Sequence, residues 1–260
     1  MIRLFVMIQK ELLELVRSFK LIWVPLVFLL LGIMQPVSSY YMPVILKQAG
    51  NLPEGAVIDI PLPDASSVMA GTLPQFGTMG LLILALVFMG AVSSERNSGA
   101  ASLILVKPVT IASFILSKWS AMLILAWGSL ALGYAGAWYY TELLIGSVPT
   151  KQIVSSMLVY GLWISVVMSF TLMFSTVLRS PAGAAFSSLG LAALLSLLAS
   201  LLPKQAGWSP GALGGFATMI AANAEFGTSA FGWSLISSLI VIAGTLIISV
   251  GVLRGSPAID

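Results

Sequence analysis

Six stretches of the chain, at about 21–43, 73–94, 111–140, 153–178, 181–202 and 231–253, each exceed twenty residues and together contain one charged side chain, Lys118. About 20 apolar residues carry a helix across the hydrocarbon core of a bilayer, where every backbone polar group must be satisfied within the segment. The expected fold class is therefore an all-α integral membrane protein with six transmembrane helices. Composition agrees, since 58% of the residues are hydrophobic and 8% charged, against roughly 25% charged in soluble domains.

A charge at the centre of such a helix would cost roughly 2.5 to 3.5 kcal/mol, and such groups mark ion or proton pathways. Lys118 lies near the start of the third span, where its side chain is expected to snorkel to the interface. A proton- or ion-coupled pump thus finds no support. The absence of Cys removes disulfides, thiolate metal sites and cysteine nucleophiles, and the absence of His removes the commonest general base. Glu11 and Glu14 share a helix face, but in a basic segment that precedes the first span. No catalytic, cofactor or metal site is expected on this chain. There is no phosphate-binding G-x-x-x-x-G-K-[ST] loop and no self-similarity between the first and last three spans.

Six spans place both termini on one side. Arg3, Lys10, Arg17, Lys20, Arg96, Lys107, Lys118, Arg179 and Arg254 fall on that side, and Lys47, Lys151 and Lys204 on the other. The positive-inside rule makes the richer side, with both termini, cytoplasmic. The reading is of one transmembrane domain, residues 1–260, in a cell membrane and most simply a bacterial plasma membrane.

Residues 1–20 read as an interfacial amphipathic helix. Phe5, Ile8, Leu12, Leu15, Val16 and Phe19 gather on one side at 100° per residue, with Arg3, Lys10, Glu14 and Arg17 opposite, facing anionic lipid or a partner. The alternative is a solvated basic head that only orients the first span. Residues 44–72, with Glu54, Asp59, Asp64 and three prolines, read as an irregular outer excursion. In 203–230, Ser209 is a candidate cap with Pro210 in the first turn, and 212–224 is apolar but too short to span. Short re-entrant or interfacial helices between helices five and six are expected there.

One polar connection has a definite grammar. Glu95 and Arg96 mark the exit of the second span, and Gly99 opens an apolar run over 100–106, long enough for two helical turns. Pro108 stops it, and Thr110 is placed to cap the third span. The result is a short cytoplasmic helix that either offers Leu103, Ile104 and Val106 to a partner groove or packs on the bilayer and its own spans.

The order Glu95-Arg96 to Gly99, apolar run, Lys107-Pro108-Val109-Thr110 and Leu116-Ser117-Lys118 resembles the cytoplasmic loop of ABC type-2 transporter permeases. The head Gln9-Lys10-Glu11-Leu12 resembles the opening of the same family, and the layout is similar over the whole chain. Two departures stand out: Ile111 replaces an Arg common after the turn, and Glu95 alone stands for a longer acidic stretch. The resemblance implies a membrane subunit of an ATP-binding cassette exporter, paired with a second permease, identical or homologous, on two ATPase subunits that hold ATP and Mg. It implies contact with an ATPase subunit through the 95–110 coupling loop, with Glu95, Arg96, Gly99, Leu103 and Pro108 as the contact residues. Gln35, Gln75 and Glu225 are candidates for a substrate path. Membrane lipid is the remaining partner, and nucleic acid is not expected. Rival readings are a membrane-embedded immunity or sensor protein that binds peptide or lipid without transport, and a stand-alone secondary transporter.

Overall fold

The computed structural model describes residues 2–49, 63–98 and 110–255, and every regular element among them is helical. Six helical stretches are long and apolar enough to cross a membrane: Lys20–Pro43, Ala65–Asn97, Ile111–Leu144, Thr150–Val177, Pro181–Leu201 and Thr228–Gly255. In chain order the elements are α1 (Ile2–Arg17), α2 (Lys20–Ala49), α3 (Ala65–Gln75), a π-helical turn (Phe76–Gly80), α4 (Leu81–Phe88) and α5 (Ser93–Asn97). Next come α6 (Ile111–Leu144), α7 (Thr150–Val177), α8 (Pro181–Leu201), α9 (Pro203–Ala206), a 3-10 turn (Pro210–Ala212), α10 (Leu213–Ala221) and α11 (Thr228–Gly255).

The second span begins earlier than its hydropathy implies, which corrects the assignment of 44–72 to an irregular excursion. Asp64 is the reason. Its carboxylate accepts the backbone N–H of Ser66 at 3.1 Å and so caps α3. Val68, Met69 and Leu73 then bury themselves in the bundle. Pro74 cannot donate to the helical ladder, and the ladder widens into the π-helical turn directly after it. Phe76, within that turn, stacks on Phe28 of α2 with centroids 5.3 Å apart.

α7 is the axis of the bundle: 67% of its most apolar stretch is buried, against 22% for the spans formed by α2 and α11. Hydroxyls tie it to its neighbours, as expected where hydrocarbon offers no hydrogen bonds. Ser165 and Ser169 accept the indole N–H groups of Trp127 and Trp119 from α6 at 3.0 and 2.9 Å. Thr171 donates to Ser188 of α8 at 3.1 Å. α2 and α6 make the most extensive helix pairing, and glycine permits it. A Cβ on Gly32 would collide with the Gly133 carbonyl, and one on Gly133 would lie 2.5 Å from the Phe28 carbonyl.

At the end of the bundle opposite α1, the expected short helices are present. α10 packs against α7 and α3, with Leu213, Ala217 and Ala221 fully buried. Asn223 takes the left-handed conformation (φ 54°) that closes the helix, and the Ala224 N–H returns to the Met219 carbonyl at 2.9 Å. Ser209 precedes Pro210 in extended conformation but makes no side-chain capping bond. Pro210 needs no donor partner and starts the turn without it.

Candidate functional site

α1 lies across the start of α6, and its apolar stripe is divided. Leu15 is buried, whereas Phe5, Val6, Leu13, Val16 and Phe19 remain exposed on a surface suited to the interfacial layer of a membrane. Lys10 stays half-exposed on the polar face that the amphipathic pattern gives it, whereas Glu11 is buried. They turn onto α5 and α6, because a charged group that must be buried there needs them.

That group is Lys118. It sits seven residues into α6, about 10 Å along the helix, and is 3% exposed, so it does not snorkel. Its ammonium donates to both carboxylate oxygens of Glu11, at 3.2 and 3.1 Å, and to Oε1 of Glu95 at 2.8 Å. The Phe114 ring covers it at 5.1 Å. Lys10 Nζ bridges the same two carboxylates, at 3.0 Å to Glu11 and 3.1 Å to Glu95, and approaches Glu14 at 3.6 Å. Burial works against the Lys10 charge, but Glu11 and Glu95 outweigh it and hold the ammonium above the ordinary lysine value. The carboxylates of Glu11, Glu14 and Glu95 lie within 4.8 Å of one another, a spacing that would suit a metal ion. Two ammonium groups already stand among them, so the arrangement is an ion-pair network with one formal negative charge in excess.

Glu95 is held from the other side as well. The helix breaks over 89–92, and Ser175 of α7 repairs the break by accepting the N–H groups of Val92 and Ser93 at 3.1 and 3.2 Å and donating to the Met89 carbonyl at 2.9 Å. Lys20 Nζ donates to the Val87 carbonyl at 3.1 Å. Arg96 donates to the Thr176 carbonyl at 2.6 Å and Asn97 to the Arg179 carbonyl at 2.9 Å, both at the end of α7. The five-residue α5 is thus fixed to α1, α6 and α7 immediately before the connection to α6. Within it, Glu95 Oε2 is buried without a hydrogen-bond partner. Gly99, Leu103 and Pro108, with the short helix expected over 100–106, lie outside the described residues. Thr110 caps α6 as expected, accepting the Ser113 N–H at 3.2 Å.

The three substrate-path candidates part company. Gln75 donates to Gln35 at 2.6 Å, so these two side chains hold α3 against α2. Glu225 is exposed in the connection between α10 and α11, and it lines a cavity of about 1240 Å³ between α3, α4, α7, α8 and α10. Neither glutamine lines that cavity. Sequence reading missed Glu11 and Lys118 as partners and Tyr160 as a buried hydroxyl. The signal for the first pair was available: an ammonium inside an apolar helix calls for a carboxylate, and Glu11 lies in the only segment flanking the spans where acidic residues share a helix face.

A family model described as ABC-2 family transporter protein matches residues 5–210. Among curated proteins, the chain is similar to an uncharacterised transmembrane protein, YxlG, of Bacillus subtilis (strain 168). The two are 38% identical over 244 residues, which cover 94% of each chain.

Proposed function

Since the chain belongs to the ABC-2 transporter family, matched by the family model over most of its length, we propose that it is the membrane subunit of an ATP-binding cassette exporter, driven by a separate ATPase. The work arrives through the 95–110 loop. Glu95, Arg96, Gly99, Leu103 and Pro108 contact an ATPase subunit, and ATP and Mg remain on that partner. Two permeases, identical or related, stand on two ATPase subunits, with the loop and both termini on the cytoplasmic side of a bacterial plasma membrane.

The observation that carries this reading is the network of Glu11, Glu95, Lys10 and Lys118 at the root of the loop. A loop that received mechanical work would need a rigid root, and this one is bonded to three other helices. A push on it would pass to α6 through Lys118 and to α7 through Arg96. An immunity or sensor protein without transport has no need of such a root, and a stand-alone secondary transporter does not fit membership of this family.

The test is co-purification of the tagged chain with an ATP-binding cassette ATPase from its native membrane, together with ATP hydrolysis by the complex. Gly99→Trp and Leu103→Asp are expected to abolish both association and stimulated hydrolysis while leaving the chain in the membrane. Unchanged association and hydrolysis in both variants would sink the coupling assignment.

A further inference from the structure

At the end of the bundle opposite α1 lies a cavity that the ion-pair network does not use. Its walls are built from small and apolar side chains, among them Gly77 of the π-helical turn, Ala192 of α8 and Gly215 of α10. A cavity of about 1240 Å³ exceeds the roughly 300 to 1,000 Å³ typical of small-molecule sites, so a ligand with a long apolar body fits it.

The hydroxyls of Thr78, Ser196, Ser200 and Thr218 interrupt the apolar wall, and two further polar groups, Tyr160 and Glu225, mark its extremes. Tyr160 lies ten residues into α7, about 15 Å from its start. It is 2% exposed, and its hydroxyl has no hydrogen-bond partner among the described residues. At the other extreme Glu225 is exposed, and it is the one carboxylate on the lining. Phe216 and Phe226 line the cavity beside it, with ring centroids 5.7 Å apart. No lysine or arginine is among the described lining residues, so a phosphate or carboxylate headgroup finds no counter-charge. A carboxylate beside aromatic rings is the combination that holds a cation.

We propose that this cavity binds a cationic amphiphile, its apolar body between α4, α8 and α10, a hydrogen-bonding group against Tyr160 and its positive charge at Glu225. That this ligand is the exported cargo rests on the export reading. The binding itself does not, and its test needs no ATPase.

The experiment uses the full chain in nanodiscs and three bromine-tipped probes of equal length: bromododecyltrimethylammonium, bromododecanol and bromododecanoate. Quenching of Trp163, which lines the cavity, reports occupancy, and Trp163→Phe identifies its share of the signal. The cation is expected to quench saturably and to bind more tightly than the alcohol or the carboxylate. Glu225→Gln is expected to weaken the cation by about three- to fivefold, the range of an exposed ion pair, and to leave the alcohol unchanged. Gly215→Phe, at a position whose added Cβ would meet no atom within 4 Å, is expected to fill the cavity and abolish saturable quenching by both. Non-saturable quenching, insensitivity to Gly215→Phe, or a carboxylate that binds as tightly as the cation would each overturn the proposal. Loss of ATPase association in the coupling-loop variants with intact cation binding would leave it standing.

Discussion

An ammonium group buried beneath a membrane surface is tolerated when carboxylates replace its water, and Lys118 has two of them. Removing it leaves Glu11 buried with its main partner gone. Lys118→Met is therefore expected to destabilise the chain by about 3 to 5 kcal/mol, read as a lower urea midpoint in detergent micelles. Lys10→Met removes a half-exposed ammonium from the same carboxylates and should cost under about 1 kcal/mol. Equal losses in the two variants would contradict the placement of Lys118 at the centre of the network. The pH dependence has a definite sign. The folded-state value of Lys10 is raised, so its contribution is complete below the ordinary lysine value of about 10.4 and fades as pH rises through the folded value. The difference between wild type and Lys10→Met should accordingly stay constant from neutral pH to about 9 and shrink only in stronger alkali.

Between elements, glycines decide how closely helices meet. Gly133 lies where α6 crosses α2 against the Phe28 backbone, so Gly133→Leu forces the two helices apart and should cost about 1 to 3 kcal/mol or more. Gly128 is on the same helix, but an added Cβ there meets no atom within 4 Å. Gly128→Leu should therefore leave the unfolding midpoint unchanged or slightly raised, because Leu favours helix over Gly, and a comparable loss would show that the contact with α2 is not what Gly133 protects. The turn between α1 and α2 obeys the opposite rule. Phe19 holds a left-handed conformation (φ 55°) that a side chain disfavours by roughly 1 to 2 kcal/mol. Its ring is exposed just past the end of α1, where it would serve as an interfacial anchor. Phe19→Gly should raise stability in micelles, where that anchor has no bilayer, and reduce partition of α1 onto anionic vesicles.

At the scale of the whole molecule, α1 is the element whose role in the six-span bundle is least evident from hydropathy. Deleting residues 2–17 should leave the spans inserted, as judged by protease protection, because each satisfies its own backbone. It should nevertheless lower ATPase co-purification, since Glu95 and Lys118 lose Glu11 and Lys10. Retained association would show that the loop needs no root in α1. Much of the fold was legible in the chain itself: all six spans, the Thr110 cap, the short helices after α8 and the family likeness. The early start of the second span was not, because Asp64 reads as a loop residue until its carboxylate is seen on the Ser66 N–H. Of the candidate site, Glu95 and Arg96 were legible as an exit signal, whereas their partners were not. The sequence by itself determined the spans, because hydropathy is local and a membrane helix closes its own hydrogen bonds. Only the tertiary structure decided which charges meet. Glu11 and Lys118 are separated by 107 positions, and nothing but the packing of α1 across α6 brings them within a hydrogen bond.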